Sequence, residues 1–254
     1  MSRAEVKLSA EKHKKRKRNY KIAKVILLIL VLLLLLVYIV VSFIYNGYNF
    51  TISLDKNMYY ENNIIIYDDS DYKVFRSRLN VESLDFFDNI SEDWLPNNLN
   101  DFEGSNNGEN YLSYSFYIEN MGEEVSNYWT YIQIDDVIKN IDEAIRLRVY
   151  YDGVPTTYAK LGGNGRPEVG TEPFYSDDKI MVQNVNDFKP GDIHKYTIVL
   201  WLEGNDLDCN NNIIGGEFKA KMVFNSEFVD SEGWWWQILA KVKDCEEKKE
   251  KPRR

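Results

Sequence analysis

The segment Val25–Tyr45, VILLILVLLLLLVYIVVSFIY, decides how the whole chain is organised. Its 21 residues include no charged side chain and no proline, and Ser42 is the only strongly polar residue among them. A helix of this length, rising about 1.5 Å per residue, spans about 31 Å, the thickness of a bilayer's hydrocarbon core. A helix that is apolar on every side cannot be buried by a small water-soluble domain. The segment therefore predicts a transmembrane helix over residues 25–45.

A cleaved signal peptide is the main alternative for this segment. The apolar region of a signal peptide usually runs roughly 7–15 residues and ends at small residues around the cleavage site. Here the apolar run is longer and ends in Phe43, Ile44, Tyr45 and Asn46. We therefore expect a retained signal anchor, which makes the protein a single-pass membrane protein.

The charges on the two sides of the anchor predict its orientation. Residues 1–24 contain ten Lys and Arg against Glu5 and Glu11, a local charge of +8, and the whole chain carries −9, so residues 25–254 carry −17. Basic residues beside a first membrane helix hold that end in the cytoplasm. We expect a basic cytoplasmic tail and an extracellular remainder. The tail could also bind nucleic acid or anionic lipid, but membrane topology already accounts for it.

Residues 46–230 have the composition of one folded, strand-rich domain. The chain holds 18 tyrosines and 6 tryptophans, and 209 residues remain after residue 45, enough for a hydrophobic core. Its acidity argues against a nucleic-acid partner, because phosphate contacts require Lys and Arg. Alternation of apolar and polar residues predicts the strands. The predicted strands are Phe50–Leu54, Ile64–Ile66, Tyr72–Leu79, Tyr111–Ile118, Tyr128–Ile134, Ile145–Tyr151, Val154–Lys160, Met181–Phe188, Tyr196–Glu203 and Phe218–Asn225.

The connections between these strands carry their own signals. Asp152-Gly153 supplies the positive φ angles of a two-residue hairpin turn. Residues 46–63 are predicted to be extended, residues 91–94 to form one helical turn, and Leu161–Tyr175 to form a long loop. The last two strands are predicted to be antiparallel neighbours. Within the final strand the alternation places three large side chains in the core: Phe218, Met222 and Phe224.

Four segments resemble the TasA/camelysin type of Gram-positive extracellular matrix protein. They lie between Tyr111 and Phe224 and read FYIENMGE (116–123), AIRLRVYYDG (144–153), FKPGDIHKYTIVLWLEG (188–204) and IIGGEFKAKMVF (213–224). The resemblance implies a jelly-roll-like β-sandwich, secretion, and assembly into fibres by exchange of an N-terminal strand. This chain departs from the family because a long anchor precedes the domain. In the resembling fibre-formers the exchanged strand is free, whereas here Phe50–Leu54 lies a few residues from the membrane.

The sequence contains no recognisable catalytic or metal-binding signature. Of its two histidines, His13 is predicted to be cytoplasmic and His194 to be an exposed turn residue, so neither a HExxH zinc site nor a serine–histidine site is predicted. The turn with Asp68, Asp69 and Asp71 could hold Ca²⁺, but it lacks a complete ligand loop, and a solvated turn is favoured. We predict no catalytic residue, no cofactor and no metal.

Carboxylate pairs and the cysteines leave two questions open. Two carboxylates at glycosidase spacing would be enough for hydrolysis, and the candidate pairs are Asp135/Asp136, Asp177/Asp178 and Asp206/Asp208. Nothing in the sequence selects one of these pairs.

Cys209 and Cys245 can form a disulfide outside the cell, but Cys245 lies in a charged segment and the bridge stays undecided.

Residues 231–254 form a separate C-terminal segment that is rich in tryptophan and in charge. Near its start it contains three consecutive tryptophans, Trp234, Trp235 and Trp236. These tryptophans could settle at a lipid interface, pack on the domain or contact a partner. The sequence as a whole favours a membrane-anchored structural or adhesive protein of the cell surface, with a protein partner or self-association through the β-domain. The alternative is an extracellular ligand- or glycan-binding module, with Trp129 and Trp201 as stacking residues. A carboxylate-dependent hydrolase ranks third.

Overall fold

The computed structural model describes residues 3–45, 50–81 and 88–227. These residues fall into two units, Met1–Gly47 and Tyr48–Arg254, each taken here by itself. The predicted C-terminal segment, residues 231–254, lies outside the described residues.

The first unit is one helix, α1 (Arg3–Tyr45). It begins well before Val25, so the basic tail is part of the helix, as its many Lys and Arg allow because both are good helix formers. Within it, Lys15–Ile39 is long and apolar enough to cross a membrane. The leucines from Leu27 to Leu36 are 54–62 % exposed, an arrangement that is costly in water and favourable in lipid.

The second unit is mainly β, as predicted. Its elements in chain order are β1 (Phe50–Leu54), α2 (Lys56–Tyr60), β2 (Ile64–Tyr67), β3 (Arg78–Val81), β4 (Gly104–Ser105), β5 (Tyr111–Asn120), β6 (Ser126–Ile138), β7 (Ile145–Tyr151), β8 (Val154–Ala159), β9 (Glu172–Pro173), β10 (Lys179–Phe188), β11 (Ile193–Leu202) and β12 (Glu217–Asn225). Short 3₁₀ turns lie at Glu92–Trp94, Leu99–Asp101, Ile141–Glu143 and Asn211–Ile213.

The strands form two sheets that share one core. One sheet has the order β10-β6-β12-β1-β3, and the other has the order β2-β5-β11-β7-β8-β9 with β4 beside β5. The main hydrophobic cluster draws side chains from both sheets, including Ile52, Phe116, Ile132, Ile198 and Phe224. The domain is therefore a two-sheet β-sandwich. We call the sheet containing β1 the first sheet and the sheet containing β11 the second sheet.

Strand β1 lies inside the first sheet. It runs parallel to β12, where Phe50 aligns with Ala220 and Leu54 with Phe224, and antiparallel to β3. Because β1 and β12 run in the same direction, both strands begin toward one end of this sheet and finish toward the other. The predicted strand Phe50–Leu54 is thus confirmed, and it is integral to the fold.

The structure corrects several expectations about the strands. Residues 46–63 are not all extended, because Asp55 caps the short helix α2 by accepting the N–H of Asn57. Of the predicted strand at 72–79 only Arg78 and Leu79 lie in a strand, β3, which continues to Val81. Strand β6 continues to Ile138, four residues beyond its predicted end at Ile134. The predicted helical turn at 91–94 is confirmed with Ser91 as its cap, and so is the hairpin turn, where Asp152 and Gly153 have φ angles of 47° and 84°.

Strands β11 and β12 are not neighbours, so that prediction is wrong. β11 lies between β5 and β7 in the second sheet, whereas β12 lies between β6 and β1 in the first. The loop from residue 203 to 216 carries the chain from one sheet to the other. Alternation shows that a segment is a strand, but it does not say which strand will pair with it.

The final strand has the predicted inward face, with one correction. Met222 and Phe224 are fully buried, but Phe218 is only partly buried at the edge of the core. The register between β12 and β6 shifts between Lys219 and Ala220, which marks a β-bulge just after Phe218. Phe218 therefore contributes less to the core than the simple alternation predicts.

Candidate functional site

His194 lies on β11, and the expectation of an exposed turn histidine is wrong. The strand already begins at Ile193, so His194 follows the inward alternation of Tyr196 and Ile198. Its Nδ1 atom lies 2.8 Å from the Tyr128 hydroxyl and 3.1 Å from the Tyr151 hydroxyl. The Phe188 ring packs against the imidazole with centroids 4.7 Å apart. The histidine is half-buried in an aromatic cluster.

The hydroxyls of this cluster stay protonated. The Tyr128 and Tyr196 oxygens are 3.1 Å apart, and burial raises the pKa of both phenols well above 10. Burial also lowers the pKa of His194, against a weaker opposing influence of the carboxylates of Asp152 and Asp192. A neutral imidazole can accept a hydrogen bond from a tyrosine hydroxyl at Nδ1. Its partners among the described residues are tyrosines, which suits a structural hydrogen-bond network more than an activated nucleophile.

Each candidate carboxylate pair has at least one member held in an ion pair. Asp206 is buried with its carboxylate 2.6 Å from the Arg146 guanidinium. Asp135 lies 2.6 Å from the Lys221 ammonium, and Asp178 lies 2.9 Å from that of Lys179. One carboxylate of each pair is thus engaged with a neighbouring cation.

The acidic turn is organised by its own backbone. Asp69 accepts hydrogen bonds from the N–H groups of Asp71 and Tyr72, both at 2.9 Å. The Asp68 carboxylate accepts the Tyr114 hydroxyl at 2.5 Å. Among residues 3–45, 50–81 and 88–227, no group of three or more His, Cys, Asp or Glu side chains could hold a metal ion. Cys209 forms no disulfide among these residues, and Cys245, its candidate partner, lies outside them.

Trp201 is fully buried, so the prediction that it stacks on a ligand is wrong. Its indole N–H donates to the Glu203 carboxylate at 3.0 Å, and the Arg148 guanidinium lies 5.3 Å from the ring centroid. Trp201 and Val199 point away from the main core, and residues of the 90–99 segment cover them: Ile90, Leu95 and Leu99. Trp129, the other predicted stacking residue, is half-buried on β6.

An open groove lies beside β8. Its volume is about 690 Å³, and it is lined by Arg148, Pro155, Thr156, Thr157, Gly170, Thr171 and Glu172. Arg148 is fixed there because it donates to the Thr157 hydroxyl at 2.9 Å and pairs with Glu92. Hydroxyl groups, one carboxylate and one guanidinium suit hydrogen bonding to a polar ligand. The sequence analysis missed this groove because β8 and the loop around Thr171 meet only through the fold.

Comparison with known proteins gives no family. No protein-family model matches the chain, and no curated protein matches it. A search of solved structures finds a likeness to a β-glucosidase from Kluyveromyces marxianus in complex with glucose, at 12 % identity and a TM-score of 0.24. That likeness covers 66 % of this chain but only 16 % of the β-glucosidase chain, and it is too weak to support any functional argument.

Proposed function

We propose that this protein is a single-pass membrane protein with a cytoplasmic N-terminus and an extracellular, jelly-roll-like β-domain of the TasA/camelysin type. Its proposed role is structural or adhesive at the cell surface. The basic charge before the apolar segment and the acidic domain after it support the orientation. The exposed leucines of α1 support insertion into lipid.

The position of β1 is the observation that carries this proposal. β1 follows the anchor along the chain and is hydrogen-bonded on both sides, to β12 and to β3. Phe50, Ile52 and Leu54 are 2 %, 0 % and 6 % exposed, and each such burial stabilises the fold by about 1.5–3 kcal/mol. The anchor is therefore joined to the domain through a strand of its core.

This arrangement suits a domain that transmits force. A load applied between Phe50 and the end of the sheet where β12 finishes is directed along the strands. The hydrogen bonds on both sides of β1 then resist the load together, in shear, and do not open one after another. An adhesive or structural surface protein needs this resistance, because force reaches the domain through its anchor.

Single-molecule pulling of residues 48–254 tests this reasoning. One form carries a handle at its N-terminus, before Phe50, and a second handle at residue 227, so that the load runs from the Phe50 end of β1 to the end where β12 finishes. The matched control moves the second handle to Glu217, at the start of β12 and near the Phe50 end of the sheet. We expect a clearly higher unfolding force in the first geometry. Equal forces in the two geometries would remove the support that β1 gives to a load-bearing role.

Crosslinking on intact cells, followed by identification of what is attached to residues 48–254, tests the role itself. Fibres or complexes with other surface proteins support the structural proposal. A domain that stays uncrosslinked while its surface lysines react with the reagent would argue against that proposal.

A ligand- or glycan-binding module is the second candidate, favoured by the groove beside β8. Saturable binding of a glycan or small polar ligand by the monomer would support it. Thr171→Val removes a groove hydroxyl and should weaken such binding, whereas Thr51→Val, in the first sheet, serves as the matched control. Equal binding by the two variants would exclude the groove.

A further inference from the structure

Three loops meet at one end of the sandwich, the end at which β12 begins. They are residues 91–95, 139–144 and 203–216. The second loop follows β6, whose last residues pair with the start of β12, and the third loop leads from β11 into β12. The Glu203 N–H, just after β11, donates to the Ala144 carbonyl at 3.0 Å. We call these three segments the end loops.

Hydrogen bonds between the end loops hold them together. The Asn205 side-chain amide donates to the Ser91 hydroxyl at 3.0 Å, which joins the third loop to the first. The Lys139 ammonium donates to the Ile214 carbonyl at 2.5 Å, which joins the second loop to the third. The end loops therefore present one connected surface.

This surface exposes large apolar side chains. Leu207 is 94 % exposed, Trp94 is 74 % exposed and Ile214 is 66 % exposed. Their sequence neighbours Leu95 and Ile213 are buried in the domain, so the domain places one residue of each neighbouring pair inside and the other outside. Exposure of such side chains to water is costly, and another apolar environment would remove that cost.

The chain reaches this end of the domain shortly after the apolar helix. β1 runs parallel to β12, so Phe50 is the residue of β1 closest to the start of β12. Five residue steps join Tyr45, the last residue of α1, to Phe50, a reach of at most about 18 Å. The inference below rests on the proposed insertion of α1 into a membrane, which brings lipid within that reach of Phe50.

The chemistry of the exposed side chains fits the interface of a bilayer. Tryptophan prefers the level of the lipid headgroups, and leucine and isoleucine gain free energy when they enter the boundary with the acyl chains. The end loops also carry Asp93 and Asp208, so attraction to anionic lipids does not hold them there. A neutral lipid surface therefore suits them at least as well as an acidic one.

We propose that Trp94, Leu207 and Ile214 insert into the outer interface of the membrane that carries α1. The partner of this surface is the lipid itself, and neither a second copy of the chain nor another protein. Insertion gives the β-domain a second attachment to the membrane in addition to its anchor.

Photolabelling of the full chain in lipid nanodiscs tests this proposal. The discs hold one copy each and consist of phosphatidylcholine with a photoactivatable group near the glycerol backbone, and mass spectrometry locates the adducts. We expect the adduct yield on Trp94 and Leu207 to be several-fold above that on Tyr60. Tyr60 is a matched control because it is 74 % exposed, like Trp94, but it lies on α2, which follows the other end of β1.

Two variants separate insertion from mere proximity to lipid. The double variant L207E/I214E places charges where apolar side chains would insert, and it should lower the adduct yield on Trp94 several-fold. Val154→Glu is the matched control, because Val154 is 68 % exposed and lies beside the β7–β8 turn, where β11 begins, at the other end of the sandwich. This control should leave the yield on Trp94 unchanged. An unchanged midpoint of urea unfolding shows that each variant is folded.

Adducts on α1 in the same samples report insertion of the anchor and keep the two proposals apart. Adducts on α1 without adducts on the end loops would overturn the present inference and leave the anchor in place. An equal yield on Trp94 in L207E/I214E and in the natural protein would overturn it as well. Absence of adducts on α1 would contradict the proposed function itself. End loops that crosslink to each other in discs with two copies, and take up no lipid label, would assign this surface to self-association instead.

Discussion

Replacing Phe224 by alanine tests the core of the β-domain at its centre. Phe224 is fully buried on β12, and its ring lies 5.8 Å from the rings of Phe116 and Tyr128 and 5.3 Å from that of Tyr196, measured between centroids. These neighbours come from both sheets. Removing the ring leaves a cavity that rigid strands on two sides cannot close.

The expected loss in the free energy of unfolding differs between Phe224→Ala and its control, Phe218→Ala. A fully buried phenylalanine replaced by alanine destabilises a protein by about 3–5 kcal/mol. Phe218 points to the same side of β12 but is only partly buried, so Phe218→Ala should cost roughly half as much or less, about 1–2 kcal/mol. In a domain of this size 1 kcal/mol lowers Tm by about 2–4 °C. Phe224→Ala should therefore lower Tm by about 6–20 °C and Phe218→Ala by about 2–8 °C.

Urea unfolding of residues 48–254, followed by far-ultraviolet circular dichroism, measures both values under the same conditions. The slope of the free energy of unfolding against urea concentration should be the same in the natural protein and both variants. A change in the midpoint of unfolding then reports a change in stability alone. Equal losses for the two variants would refute the proposed difference in packing. A loss below about 1 kcal/mol for Phe224→Ala would refute the assignment of the shared core itself.

Three further predictions rest on the same structure. The pKa of His194 is lowered in the folded protein, so the unfolded chain binds more protons than the folded one below about pH 6.5. The free energy of unfolding should therefore fall as the pH is lowered from about 7 to 5.5. In urea unfolding experiments at these pH values, His194→Gln should lack this part of the fall. Asp206→Asn removes the nearer of the two carboxylates beside the buried Arg146 guanidinium, the other being Glu168 at 3.8 Å, and should cost about 1–3 kcal/mol, whereas Asp135→Asn, in an exposed pair, should cost at most about 1 kcal/mol in the same assay. Residues 48–254 released from the anchor should self-associate more readily than the full chain, and a strict monomer by size exclusion at every concentration would count against assembly through the β-domain.

Local features of the fold could be predicted from the sequence. The β7–β8 hairpin follows from Asp152-Gly153 and the alternation on each side, because all its interactions lie within a few residues. The assignment of Phe50–Leu54 as a strand follows from the same kind of alternation, but its place between β12 and β3 does not. The apolar helix is also local, and only its start at Arg3 was missed, because hydrophobicity marks the span but not the helical basic residues before it.

Features that depend on distant residues could not be predicted. The alternation in β11 places Trp201 away from the core, but its burial depends on Ile90, Leu95 and Leu99, about a hundred residues earlier. The pairing of β12 with β6 and β1 likewise depends on strands far away in the sequence. The surroundings of His194 and the groove at Thr171 could not be predicted for the same reason, because the residues that form them come from separate strands and loops.

Labelling of lysines on intact cells with a membrane-impermeant amine reagent tests the central claim most directly. The full chain is labelled before and after lysis, and each lysine is identified by mass spectrometry. Lys56 and Lys189, both exposed on the β-domain, should react on intact cells, whereas the lysines of residues 1–24 should react only after lysis. Labelling of residues 1–24 on intact cells with a protected β-domain, or recovery of a released chain that begins near Tyr48, would contradict it.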